Sequence, residues 1–315
     1  MQVRRRTNFL WGLVLLAAAV VLLLRALDVI PEGIFDIIAR AWPALIIFAG
    51  ISIFLRERVP YGGLFALVLS LVLVAGVTVL AFNTRSGQQR DDYREAIAET
   101  VNPAVTLLRV RVGVLSTGVE LLRSLESGRI TGTFTGSSAS QLQVDYVEAD
   151  DNTATLTITE SQREPFPLLE TLGRGVFQLE LPADVALDVV FTGESGETVM
   201  NMDGLALERL NIDLQQGDVV VTLPAYNPLG SAEDAMLGTL AARDGTLTLR
   251  IPEAVAAHLE VVRPGSGIPP SVDDIRYLRL EGGVLETRNF DTFDMRVRYL
   301  LDVPHGPIVV TTAGG

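Results

Sequence analysis

The chain has 315 residues, with 25 arginines and no lysine, 38 acidic residues, no cysteine and a formal net charge of −13. An acidic surface repels phosphate backbones, which argues against nucleic acid as a partner. The absence of cysteine excludes disulfides, thiolate metal sites and cysteine nucleophiles. Residues 1–83 carry seven Arg and four acids, whereas residues 105–315 carry fifteen Arg and thirty acids, so two parts of different kinds are expected.

The first uncharged run is Phe9–Leu24, which follows the basic cluster Arg4–Arg6. Signal peptides have a similar basic start and apolar centre. Here, however, another apolar run follows in place of a cleavage site and a polar mature chain. The pattern therefore predicts a retained membrane helix, whose end is extended to the interface by a snorkelling Arg25.

Two further uncharged runs follow. Ala41–Leu55 has fifteen residues and reaches spanning length only if Ile37–Arg40 joins its helix, so a re-entrant or buried segment is the alternative. Val59–Thr84 has 26 residues, which at about 1.5 Å per residue suffice to cross a hydrocarbon layer of about 30 Å. The prediction is a domain of three transmembrane helices over residues 1–83, embedded in the lipid bilayer.

Small residues recur every four positions in the third predicted helix, at Gly62, Ala66 and Ser70. Such a stripe allows helices to approach closely. It is explained either by packing within the chain's own bundle or by contact with a second copy or another membrane protein, so a homo-oligomer is one possible partner state. No Asp, Glu, Arg or His lies centrally in the three runs, which argues against an ion or proton pathway.

The arginines flanking three predicted spans number five on each side, so their count does not set the orientation. The cluster Arg4–Arg6 precedes the first helix, which usually dominates, and this predicts a cytoplasmic N-terminus. With three spans, residues 105–315 are extracytoplasmic and the protein is a multi-pass protein of the cell membrane. With two spans, the same residues would lie in the cytoplasm.

Residues 84–104 are polar and are interpreted as a linker. Acids early in Asp91–Thr100 suit the positive end of a helix dipole, and Asn102 followed by Pro103 would end a helix. A short helix is therefore predicted over Asp91–Thr100, in a spacer between the two parts of the chain.

From Val105 onward, apolar residues alternate in short runs broken by Gly, Asp and Asn, which indicates strands. Helical periodicity is confined to Val119–Glu126 and Ser231–Arg243. The prediction for residues 105–315 is a mainly-β soluble domain. Its clearest strands are Leu142–Tyr146, Ala154–Ile158, Phe177–Leu181, Leu187–Phe191, Val219–Leu223, Leu247–Ile251 and Met295–Leu301.

An internal repeat indicates a coil of β-structure. Leu179–Ala186 aligns with Leu249–Ala256, and each repeat continues from a strand through a Pro corner into another strand. Between the repeats, the alternation of apolar and polar residues is interrupted twice by an extra residue, as it is where a strand turns a corner or forms a bulge. The apolar residues of this stretch are expected to line one continuous core: Leu207, Leu210, Ile212, Leu214, Val219, Val221 and Leu223.

Two sets of motifs resemble known families. Trp42–Gly50 resembles the W-P-x-L-I-I-x-x-G core of the LiaI/LiaF-type transmembrane region, and Phe9–Leu15 resembles its first helix. Met202–Leu205 and Gly217–Pro224 resemble signatures of the toast-rack domains found in LiaF-type cell-wall-stress regulators and adhesin-like proteins. The resemblance implies a β-helix-like, toast-rack domain and an envelope-stress or scaffold role.

Residues for chemistry are scarce. His258 lies in a strand and His305 in a Pro-rich turn, and no G-x-S-x-G occurs to supply a nucleophile. Without lysine there is no Walker motif, and neither C-x-x-C nor H-E-x-x-H occurs. Glu148–Asn152 concentrates oxygen ligands that could hold Ca²⁺, although a solvated turn explains the same composition better. We therefore predict no catalytic residue, no cofactor and no metal site.

The first functional hypothesis is a membrane-anchored, non-enzymatic envelope protein. Its β domain would bind or sense a partner, and its helices would contact a membrane sensor or another envelope protein. The alternative is a structural or adhesive surface module that the helices simply anchor. An enzyme comes third, since β-helices can host carboxylate hydrolases.

Overall fold

The structure is a computed structural model that describes residues 89–138, 140–149, 151–162, 174–228, 235–263 and 269–313. The three predicted membrane helices lie outside these residues. Among the described residues, no helix combines the length and the apolar character needed to cross a membrane.

The described residues form eighteen strands and two short 3₁₀ turns, Glu281–Gly283 and Phe290–Thr292. The strands are β1 (Tyr93–Thr100), β2 (Leu107–Val114), β3 (Thr117–Arg123), β4 (Arg129–Gly136), β5 (Ser140–Glu148), β6 (Thr153–Gln162), β7 (Gly175–Leu181), β8 (Ala186–Ser195), β9 (Thr198–Asn201), β10 (Ala206–Gln216), β11 (Val219–Thr222), β12 (Thr239–Asp244), β13 (Leu247–Pro252), β14 (Val255–Arg263), β15 (Tyr277–Arg279), β16 (Val284–Thr287), β17 (Met295–Asp302) and β18 (Ile308–Ala313).

The strands pair into two sheets. One has eight strands in the order β1-β4-β7-β3-β9-β11-β13-β18, and the other has ten in the order β15-β16-β14-β17-β12-β10-β8-β2-β6-β5. Consecutive strands that lie one in each sheet form a rung, and the rungs stack by parallel pairing in the order β6–β7, β2–β3, β8–β9, β10–β11, β12–β13 and β17–β18. The chain therefore winds as the coil of β-structure that the repeat predicts.

The core fills the space between the two sheets. All seven residues predicted to line it, from Leu207 to Leu223, are at most 3% exposed and belong to one cluster of buried apolar side chains. The two interruptions of the alternation correspond to a β-bulge between Leu207 and Arg209 and to the corner at Gly217 and Asp218. The prediction of one continuous apolar face is confirmed.

The repeated Pro corners are confirmed as well. β7 ends at Leu181 and β8 begins at Ala186, and β13 ends at Pro252 and β14 begins at Val255. Both repeats therefore carry the chain from the eight-stranded sheet to the ten-stranded sheet. All seven strands named from the sequence lie within, or within one residue of, observed strands.

The helix predicted over Asp91–Thr100 is wrong. Tyr93–Thr100 is β1, which pairs with β4 over all eight of its residues. Its inward-facing Ile97 is only 6% exposed, so pairing and burial outweigh the favourable placement of acids for a helix. The segment interpreted as a spacer thus contributes an outer strand to the sheet.

The two other helical segments are corrected too. Val119–Glu126 overlaps β3, where Val119 and Leu121 are buried at alternate positions in a strand that pairs with both β7 and β9. The second candidate helix, Ser231–Arg243, ends instead in β12 (Thr239–Asp244), and its first residues lie outside the described part of the chain. In both segments, non-local pairing outweighs a local periodicity of apolar residues.

Candidate interaction surface

Four glycines stack at the corner where the chain leaves the ten-stranded sheet for the eight-stranded sheet: Gly196, Gly217, Gly245 and Gly306. A Cβ atom on Gly217 would overlap the carbonyl oxygen of Gly196, and one on Gly245 would overlap that of Gly217. The corners also bond to each other, since the Gly217 N–H donates to the Asp244 carbonyl at 2.8 Å. Only glycine fits this close backbone approach.

Asp218, the acid that follows Gly217 in the sequence, has a structural role. Asp218 accepts the backbone N–H of Thr246 on the next rung at 2.7 Å. The resemblance at Gly217 and Asp218 is thus explained by how the coil turns its corner.

An open polar groove follows the glycine corner. Its rim carries three acids, Glu197, Asp218 and Asp244, together with Arg174. Among the described residues, however, no three His, Asp or Glu side chains are grouped so that they could hold a metal ion. The groove is thus a polar, mainly acidic strip along the glycine corner.

Both histidines lie far from hydrolytic geometry. The Nδ1 atom of His258 is 2.7 Å from the Glu286 carboxylate, and its Nε2 atom is 3.6 Å from that of Glu260. A base that activates a nucleophile needs one ring nitrogen facing a hydroxyl or thiol, whereas here both nitrogens face carboxylates. His305 is exposed in the turn between β17 and β18. His258 therefore links β14 to β16.

The acidic turn between β5 and β6 uses its oxygens in hydrogen bonds within the coil. Glu148 accepts the Tyr146 hydroxyl at 2.9 Å, and Asp151 accepts the Thr153 N–H at 3.2 Å. The hydrogen bond from the Thr153 side chain lowers the pKa of Asp151. Asn152 has φ of 60°, a conformation that Asn tolerates in turns. These contacts close the turn with its own side chains.

The two ends of the coil differ in how their outer strands are finished. At one end, the backbone of Ser271 bonds to β18, donating to Ile308 and accepting from Val310 at 2.8 Å each, and β15 has only three residues. At the other end lie β1 with eight residues and β5 with nine, and no other described strand pairs with their outer edges. We call this second end, formed by β1 and β5, the open end.

The inward-facing rows of the open end combine aromatic and acidic side chains. On β1, the Tyr93 hydroxyl donates to Glu95 at 2.8 Å. On β5, burial and the hydrogen bond to Glu148 raise the pKa of Tyr146 to about 12. The negative charge of Glu99 on β1 raises the pKa of Tyr146 as well. The open end is therefore an amphipathic acidic seam.

Sequence reasoning identifies β5 as a strand but misses that it is an outer strand. Its alternation, Leu142-x-Val144-x-Tyr146, is the same as in central strands. Sheet order is set by pairing between distant residues, and no local signal in β5 encodes it. The order of the rungs, with β6–β7 stacked outside β2–β3, is what leaves β5 at the edge.

Comparison with known proteins locates the membrane part. Residues 10–87 match the family model of the LiaF transmembrane domain. The chain carries a LiaF-type transmembrane region. It is therefore a membrane protein, and the predicted resemblance of its N-terminal part is confirmed. No curated protein sequence matches the chain significantly.

Two solved structures resemble this chain. A candidate cell adhesion protein from Clostridium sporogenes ATCC 15579 matches with a TM-score of 0.56 at 12% identity, over 70% of this chain and 100% of the other. A candidate adhesin from Bacteroides fragilis NCTC 9343 matches with a TM-score of 0.27 at 12% identity, over 72% of this chain and 100% of the other. The first likeness shows an adhesin-like β fold.

Proposed function

We propose that this protein, with its LiaF-type transmembrane region, is a non-enzymatic regulatory or scaffold component of the envelope-stress response, acting through protein–protein contacts. The observation that carries the proposal is the direct succession of its two parts. The LiaF transmembrane match ends at residue 87, and the first strand of the adhesin-like coil, β1, begins at Tyr93. Because so short a connection is expected to limit independent movement of the two parts, a change caused by binding at the coil can be transmitted to the helices.

The chemistry of the described surface supports binding over turnover. His258 faces two carboxylates, Asp218 and Asp151 hold backbone N–H groups, and the groove along the glycine corner has no metal-binding geometry. What the coil does present is long strand edges and acidic patches. Such surfaces suit recognition of another protein.

The finer architecture is part of the same proposal. Residues 1–83 form three transmembrane helices, the N-terminus lies in the cytoplasm and the coil lies outside it. The coil then begins with β1 at Tyr93 instead of at residue 105, and residues 84–92 form the connection. The partner is a membrane sensor or another envelope protein, contacted by the helices, the coil or both.

A second candidate function is a structural or adhesive surface module, favoured by the fold shared with the candidate cell adhesion protein. Exchange of residues 1–83 for an unrelated three-span anchor separates the two. A regulator should lose its effect on the stress response and its co-purifying membrane partner, although the coil still reaches the surface. Full function after the exchange would favour the adhesive module.

A further inference from the structure

The two outer strands of the open end are not equally guarded. Natural sheets protect their edges with inward-facing charges, prolines, lysines or bulges. β1 has two inward-facing glutamates, Glu95 and Glu99, which guard its edge. The inward row of β5 is apolar along Leu142, Val144 and Tyr146 and carries a charge only at its end, at Glu148. β5 also has no proline or basic residue and pairs with β6 without a register shift. β5 is therefore the less guarded edge.

The hydrogen-bonding pattern shows which groups of β5 face outward. The Ala149 N–H donates to the Thr153 carbonyl at 2.8 Å, and the antiparallel register pairs β5 with β6 along the same hairpin. Backbone groups alternate in direction along an antiparallel strand, so those of Val147, Asp145 and Gln143 also point to β6. The N–H and C=O groups of Val144 and Tyr146 consequently point to the outer edge.

The surroundings of this edge are acidic and partly apolar. Asp145 and Glu148 lie on β5, and Glu95 and Glu99 lie across the seam on β1. Val147 is 53% exposed, and the half-buried Val144 and Tyr146 pack against the core. A strand added to β5 would point alternate side chains into the seam, toward the apolar row and the inward-facing glutamates, and the others toward the outer face beside Asp145.

We propose that the edge of β5 binds an extended segment of a partner protein that is rich in basic residues. Main-chain hydrogen bonds to Val144 and Tyr146 supply the pairing, and the four carboxylates select the basic charge. A second copy of this chain fits poorly, because pairing β5 with β5 or β1 brings acidic strands together. The inference rests on the proposed function and names the chemistry of the partner.

The test uses the full chain in nanodiscs and a synthetic peptide as long as β5, with alternating Arg and Val and blocked ends. The expected result is saturable binding that weakens with salt and slows amide hydrogen exchange at Val144 and Tyr146. A peptide with Glu in place of Arg should not bind. Failure of the basic peptide to bind, or binding that leaves exchange in β5 unchanged, would overturn the proposal.

A proline variant examines the edge itself. Val144→Pro removes an outward N–H without removing a bond to β6, and proline is tolerated on edge strands in this orientation. It should abolish peptide binding, whereas Val144→Ala, which keeps the N–H, should retain it. Equal binding by both variants would refute the edge site. Self-association of the chain that V144P abolishes would assign the edge to a second copy and also refute the proposal.

Charge selection has its own control. The double variant E95Q/E99Q should weaken peptide binding about fivefold or more and reduce its dependence on salt. The matched variant D203N/E253Q removes two exposed acids elsewhere on the coil and should bind like the unmodified chain. Equal losses in both would mean that only net charge matters. Because binding is measured on purified protein, its failure is distinguishable from a failure of the helix exchange that tests the proposed function.

Discussion

The Glu160 carboxylate on β6 accepts the backbone N–H of Leu115 at 2.8 Å, although these residues are 45 positions apart. It also accepts the Ser116 N–H at 3.3 Å and the Ser140 hydroxyl at 3.1 Å. β2, β8, β10 and β12 are each followed by a corner of two residues, whereas β6 is followed by twelve before β7 begins. Glu160 thus provides the acceptor for two backbone donors at the β2–β3 corner.

Removal of this carboxylate should destabilise the coil. Glu160 is only 3% exposed, so Glu160→Ala leaves two backbone donors without their acceptor and should cost ~1–3 kcal/mol. Glu160→Gln keeps an acceptor oxygen and should cost less. Chemical denaturation of the purified protein measures both losses, and an alanine variant as stable as the parent would show that Glu160 does not support the corner.

The glycine corner should not tolerate a side chain. Gly217→Ala forces a Cβ against the Gly196 carbonyl at a φ of 128°, and the combined overlap and strain should cost about 3 kcal/mol or more. Gly113→Ala is the matched control, since its Cβ meets its nearest atom at an ordinary 3.5 Å. Thermal unfolding should separate the two variants. A tolerated Gly217→Ala would mean that the rungs can move apart at this corner.

The continuous core predicts a contrast along β10. Leu210→Ala removes a fully buried side chain and should cost ~2–5 kcal/mol, whereas Gln215→Ala on the exposed face should be nearly silent. Glu208 is not a silent site, because it accepts the Tyr226 hydroxyl at 2.7 Å. Denaturation midpoints check the order, and equal losses for Leu210→Ala and Gln215→Ala would contradict the inward face.

Much of the coil was predictable because apolar and polar residues alternate regularly along its strands. The seven apolar positions from Leu207 to Leu223, with a bulge at Leu207 and a corner at Gly217, follow from side-chain period alone. The edge position of β5 and the capping role of Glu160 depend on β6 stacking outside β2, a contact between segments about 45 residues apart. Local patterns do not encode such contacts, and for the same reason β1 resembled a helix.

Asp184 should make stability depend on pH in acid. Its carboxylate accepts the Ser127 hydroxyl and, at 3.1 Å, the Gly128 N–H, and these bonds, led by that of Ser127, lower the pKa of Asp184. A carboxyl group whose pKa is lower in the folded state stabilises the fold above its unfolded pKa, and the contribution is lost as pH falls through the folded pKa. Through these bonds, Asp184 joins the β3–β4 turn to the β7–β8 corner.

The measurement is a comparison of the parent with D184N across pH. The parent should be more stable at neutral pH, and the difference should shrink as the pH falls below about 4, where the unfolded carboxyl group titrates. The stability of Ser127→Ala should depend less on pH than that of the parent, because this variant removes the main cause of the lowered pKa of Asp184. A difference between parent and D184N that is constant down to acid pH would contradict this role of the charge.

The proposed topology predicts where single cysteines can be labelled, and the chain has none of its own. Ser138→Cys and Gln143→Cys lie at exposed positions of the coil, so an impermeant thiol reagent should label them on intact cells. Gln2→Cys, before the basic cluster Arg4–Arg6, should be labelled only after lysis. The opposite pattern would place the coil in the cytoplasm, as expected if Ala41–Leu55 does not cross the membrane. The basic partner strand would then belong to a cytoplasmic protein, because the edge of β5 is exposed only on the side of the membrane that holds the coil.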